Sequence, residues 1–110
     1  MAPRPDWFGL GLFVRRRAVL ELIEERTRDG EDTSYRSVAS ELGISPDAAA
    51  SHLKRLWEER FIKSTTHPSR FSERLGPGES VRDLRFTLAR RGRERLHWYR
   101  ERDREQSEEE

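Results

Sequence analysis

Cysteine is absent from all 110 residues. Disulfides, thiolate metal sites and cysteine nucleophiles are therefore excluded, and the lack fits a reducing compartment. Hydrophobic side chains are also scarce, at 33% against 39% charged. A single domain near this length buries roughly 60–70% of the surface its unfolded chain exposes, so a small core can fold without staples. Long apolar runs are missing. The longest, Trp7 to Val14, is eight residues, where a bilayer crossing needs about 20. Arg4 ahead of that run imitates a secretory leader, but Arg15, Arg16 and Arg17 follow directly with no small-residue cleavage site. A soluble cytoplasmic protein without a membrane partner is expected. Glycine-rich phosphate loops are lacking too, and Gly76-Pro77-Gly78 reads as a turn. His52, His67 and His97 lie on different elements without metal-ligand spacing. Ser51 and His52, adjacent on a helix, point about 100° apart and form no catalytic pair. The expectation is a non-enzyme without metal or cofactor.

What is present is charge, unevenly placed. The net charge of +1 averages over +3 in residues 1–17, −5 in 18–59, +7 in 60–100 and −4 in 101–110. One stretch is thus strongly cationic, a footprint of polyanion binding whose bland counterpart is a solvated face. Of 22 basic residues, 20 are Arg. Arg suits bidentate phosphate contacts, although a genome rich in G and C produces the same bias.

The apolar pattern is helical first. A helix is expected from Trp7, capped by Asp6, to about Arg28, with Leu12, Val19, Leu20 and Ile23 inward. Gly9 and Gly11 weaken its first turns. Ser34 caps a short helix from Tyr35 to Leu42 with Val38, Ala39 and Leu42 inward. Gly43 supplies the positive φ of a tight turn, and Ile44 plugs it. Ser45 caps a third helix with Pro46 at its first position and Asp47 at the positive end of its dipole. Ala49, Leu53 and Leu56 form its stripe, and Trp57 flanks that stripe against the first helix. The period then changes to strands over Phe61–Thr65 and Val81–Leu88, joined by a long tip. A last helix runs from about Arg90 to Arg104 with Leu96, Trp98 and Tyr99. Residues 1–6 form a disordered arm, 7–104 one domain, and 105–110 an acidic disordered tail.

Three helices followed by a hairpin is the order of a winged helix-turn-helix, a mainly α fold with a small β-hairpin (α+β). The stretch from Ser34 to Ile62, with Val38-Ala39, Leu42-Gly43-Ile44-Ser45 and Leu53…Leu56 through Phe61-Ile62, resembles the core of the MarR, ArsR and PadR transcription regulators. Phe86-Thr87-Leu88-Ala89-Arg90-Arg91-Gly92 through Leu96 is similar to their strand-to-helix join. The resemblance spans roughly residues 12–100. Two departures stand out: Arg60 replaces the usual Gly, and Ala89 replaces a capping Thr.

The resemblance implies a third helix in the major groove of duplex DNA and a wing on the adjacent minor groove or backbone. Its groove-facing set is Ser45, Pro46, Asp47, Ala48, Ala50, Ser51, His52 and Lys54, with Arg55 alongside. Arg, Asn and Gln are missing from the first two turns, so direct base readout is modest and backbone and shape carry more. Ser34 and Arg36 of the second helix are expected on phosphate. In the wing and its flanks the candidates are His67, Arg70, Arg74, Arg82 and Arg85. Trp7, Phe8, Leu10 and Phe13 at one end, and Leu96, Trp98 and Tyr99 at the other, exceed what such a domain needs to cover itself. They are expected to form a homodimer matched to a palindromic operator, with packing of the two ends within one chain as the alternative. The expected function is a dimeric, DNA-binding transcription regulator, with any small-molecule effector at the dimer interface. A winged-helix protein-interaction module, or a plasmid or phage replication or partition accessory factor, stands as the alternative.

Overall fold

In a computed structural model, the structure describes residues 7–67, 70, 71, 75 and 80–109, with side chains from 16 to 106. The elements are α1 (Trp7–Arg28), α2 (Tyr35–Leu42), α3 (Pro46–Glu58), β1 (Ile62–Ser64), β2 (Phe86–Leu88) and α4 (Arg90–Glu109). The expected arm 1–6 lies outside the described residues. Helix α1 is continuous from Trp7 despite its two glycines.

The helices begin and end for local reasons. Ser34 Oγ accepts from the Ser37 N–H at 3.4 Å, and Ser45 Oγ accepts from the Ala48 N–H at 3.1 Å. Helix α2 ends on Gly43 with φ 64°, a conformation without Cβ cost only for glycine. Helix α3 ends on a Schellman motif, with Phe61 N–H donating to Leu56 O at 2.9 Å and Arg60 N–H to Trp57 O at 3.0 Å. The left-handed residue of that motif is Arg60, with φ 65°. The departure from glycine at this position therefore sits on the one backbone geometry where glycine is favoured.

Burial gathers Val19, Leu20 and Ile23 of α1, Val38 of α2, Leu53, Leu56 and Trp57 of α3, and Leu96 of α4 into one core closed by Ile62, Phe86 and Leu88. The two strands pair antiparallel, Ile62 opposite Leu88 and Ser64 opposite Phe86. Thr33, ahead of α2, exchanges both backbone hydrogen bonds with Phe86 at 2.8 and 2.9 Å, so the wing is rooted in the α1–α2 connection as well. Strand β2 is shorter than the expected Val81–Leu88. Val81–Asp83 forms a 3₁₀ turn, with the Leu84 N–H donating to Val81 O at 3.1 Å. Val81 and Leu84 are both buried; their spacing of three suits a turn, whereas Leu84, Phe86 and Leu88 alternate as a strand requires.

Helix α4 runs five residues past the expected Arg104, through the segment expected as a tail, with Arg104 and Glu101 paired one turn apart at 2.5 Å. Its packing on α1 is charged as well as apolar. Arg100 grips Glu24 with two bonds at 2.7 and 3.2 Å, and Arg17 meets Asp103 at 2.6 Å. Gly92 lets α4 lean onto the start of the wing: a Cβ there would overlap the Phe61 carbonyl oxygen and lie 2.7 Å from Leu88 Cδ1.

Candidate nucleic-acid interface

The α2–turn–α3 unit holds the outward row of α3 clear of the core. Ala49, Leu53, Leu56 and Trp57 are buried beneath it, and Asp47, Ser51, Lys54 and Arg55 are exposed, with Ala48 and Ala50 half-buried between them. Small side chains along this row let another surface approach the helix axis closely. An open cleft of about 460 Å³ separates the row from the returning wing, lined on one side by Asp47, Ala50, Ser51 and Lys54 and on the other by Ser80, Val81 and Arg82.

His52 is corrected by the structure. It is 8% exposed and lies on the inward side of α3, one position before Leu53, so it leaves the groove-facing set. Ser34 and Ser45 each use one hydroxyl lone pair on a helix cap, which fixes the oxygen and leaves an O–H donor for an external contact.

Tyr35, absent from the sequence-level candidates, organises the cations beside the cleft. The guanidinium of Arg82 lies over its ring at 5.5 Å, that of Arg36 at 5.9 Å, and Arg36 Nε donates to its hydroxyl at 3.3 Å. The hydroxyl contact holds the Arg36 guanidinium above its usual pKa. An aromatic residue directly before Arg36 in a helix's first turn was the available signal. Arg82 also pairs with Asp47. That contact joins α3 to the wing and neutralises the one acidic side chain in the first turn of α3. Arg85 turns elsewhere, to Asp32 at 3.1 Å.

The wing is fastened by Trp57. Its Nε1 donates to the Arg70 carbonyl at 3.3 Å, and the Ser64 N–H donates to the same oxygen at 2.9 Å. Its ring meets Phe86 and His67 edge-on, with centroids 6.0 and 5.3 Å apart. The indole thus faces the wing, a contact beyond the flank of α1 expected for it. The Arg70 backbone is anchored while its side chain is exposed. Arg74 lies outside the described residues, as does the Gly76-Pro77-Gly78 turn.

Of the residues expected at a dimer interface, Leu96 is fully buried in the core and so is corrected to a packing residue. Tyr99 is half-buried under Arg17 at 5.5 Å, and Trp98 is 42% exposed. The side chains of Trp7, Phe8, Leu10 and Phe13 lie outside the described ones. No group of three or more His, Asp or Glu able to hold a metal ion occurs among the described residues, and no described helix is long and apolar enough to cross a membrane.

Residues 14–63 match a family model described as winged helix-turn-helix DNA-binding. That span takes in α1 from residue 14, α2, α3 and most of β1. No curated protein matches the sequence. Among solved structures, a mutant of Lactococcus lactis ZitR in apo form is similar, with a TM-score of 0.56 and 20% identity over 92% of this chain and 65% of that one. The chain therefore spans just under two thirds of that protein's length, and the likeness is one of fold. Among the described residues, four helices, a two-stranded antiparallel wing and an exposed α3 row make this a winged helix-turn-helix, similar over residues 14–63 to DNA-binding domains of that class.

Proposed function

We propose that the chain binds double-stranded DNA through α3 and the wing, as a transcription regulator of the MarR, ArsR and PadR kind that acts as a dimer at an operator. The observation that carries this is the outward row of α3, where Ala48, Ala50 and Ser51 stand between Lys54 and Arg55 on one side and the Tyr35-held Arg36 and Arg82 on the other. A helix so clad seats in the major groove, and the flanking cations neutralise phosphates. Ser51 offers a single hydrogen bond. Bidentate base readers are lacking, so selectivity comes mainly from groove shape and backbone position. The exposed Arg70, on its anchored backbone, reaches the neighbouring minor groove or backbone.

The acidic excess of residues 18–59 is largely met by cations from outside that stretch: Glu24 is bound to Arg100, Glu59 to Arg16 and Asp32 to Arg85. It does not form one acidic face opposing DNA.

The test is fluorescence anisotropy of a labelled generic duplex titrated at several salt concentrations. Micromolar binding with a steep negative salt slope is expected, each neutralised phosphate contributing about −0.9. Absence of binding at low salt would overturn the proposal and favour a protein-interaction module.

A further inference from the structure

The outer face of α4, opposite Leu96, carries Arg91, Arg95, Trp98, Arg102 and Glu105 at successive spacings of four, three, four and three. Position 109 continues the row. These spacings keep one face of a helix. The side chains of Arg91, Trp98, Arg102 and Glu105 are exposed, and that of Arg95 is half-buried. The three arginines differ from their neighbours on the helix. Arg90, Arg100 and Arg104 each have a carboxylate partner, whereas Arg91, Arg95 and Arg102 have none among the described residues. They stack on rings instead. Arg91 and Arg95 lie over Phe61 at 5.4 and 5.2 Å, and Arg95 and Arg102 lie over Trp98 at 5.2 and 4.9 Å. Glu105 likewise has no ion pair among the described residues. The face thus begins cationic, passes a half-exposed tryptophan and ends acidic.

A sequence of that order is its own complement when reversed. Rotating a second α4 about a two-fold axis near position 100 sets Arg95 against Glu105, Trp98 against Arg102 and Arg91 against position 109. Each juxtaposition occurs twice, as isologous contacts require. We propose that this face is the seam of an antiparallel α4–α4 pair between two copies of the chain, in the register just given. The inference deepens the dimeric part of the proposed function and rests on it. The unpaired guanidiniums supply the complementarity, and Trp98 supplies the apolar centre around which an interface closes. One helix-on-helix seam with exposed charges belongs to the weaker class of association, so pairing is concentration-dependent and is loosened by salt.

The experiment is sedimentation equilibrium of the full chain over a range of concentrations and salt, for wild type, Arg95→Glu, Glu105→Arg and the double variant. The wild type is expected to dimerise reversibly, more weakly at high salt. Each single reversal sets like charges together at two places and weakens the dimer about tenfold or more. The double reversal recreates both pairs with signs exchanged and restores association. A dimer indifferent to the single reversals, or singles not rescued by the double, overturns the seam and leaves dimerisation standing. A wild type that stays monomeric at low salt overturns both. Glu105 is exposed and remote from the core, so Glu105→Arg alone decides the matter if Arg95→Glu does not fold. DNA binding plays no part in the measurement and stands or falls by its own titration.

Discussion

Asp47 illustrates how one side chain changes meaning once its neighbour is seen. Alone at the first turn of α3, a carboxylate favours the helix dipole and repels phosphate. In the structure Arg82 covers that charge while stacking on Tyr35. Asp47 and Arg82 are both substantially exposed, at 85% and 47%, so their pairing adds little stability. Its weight falls on the proposed binding, because Asp47 competes with phosphate for the Arg82 guanidinium. Asp47→Asn is therefore expected to leave the melting temperature nearly unchanged, tighten binding to a generic duplex and steepen the salt slope by about 0.9, one extra phosphate contact. The same anisotropy titration reads it. His52 shows the reverse case. Its polarity suggested a groove contact, yet its place beside Leu53 on the buried stripe decided its orientation.

Arg60 governs the hand-over from helix α3 to strand β1. A side-chain-bearing residue in the left-handed region costs roughly 1–2 kcal/mol, and part of the gain from removing it is returned as the added unfolded-state freedom of glycine. Arg60→Gly is expected to stabilise the fold by about 1 kcal/mol, seen as a higher denaturant midpoint at unchanged slope. Arg60→Ala keeps the Cβ and brings no such gain.

The helices were legible because their signals are local: Ser34, Ser45, Pro46 and Gly43 each act within a few residues, and the bounds of α1 and α2 agree with the periodicity. The return of the wing was harder to read. Val81 falls out of the alternation kept by Leu84, Phe86 and Leu88, and whether such a stretch forms strand or turn is set by contacts far away in sequence. Thr33 exchanging hydrogen bonds with Phe86, and Trp57 reaching the Arg70 carbonyl, are pairings of that kind. So is the assembly of Tyr35 with Arg82. The candidate row on α3 followed from the resemblance to known regulators, but which of its charges are already partnered did not.

At the scale of the whole molecule, α4 is held to α1 by carboxylates whose pKa values the fold depresses. The hydrogen bond from Arg100 lowers Glu24 chiefly, with attraction from Arg100 and Arg28 adding to it, and the hydrogen bond from Arg17 lowers Asp103. A depressed pKa in the folded state gives stability that is complete above the unfolded-state value and disappears as pH falls through the folded one. Thermal stability is expected to be flat near neutrality on account of these groups and to decline from pH about 4 downward. Glu24→Gln lowers the neutral plateau and flattens that acidic decline, which melts followed by circular dichroism across pH would detect.

The contact at Gly92 has a geometric consequence. With no side chain between them, the first turn of α4 rests on the backbone that follows α3, and the Ala89 N–H fixes the same Phe61 carbonyl at 3.0 Å. The long arm of α4 and the short helix that faces the cleft therefore turn as one body. In the proposed α4 pair that contact would act as a ruler: the distance between the two α3 helices, and with it the spacing of any half-sites they met, would be set at Gly92.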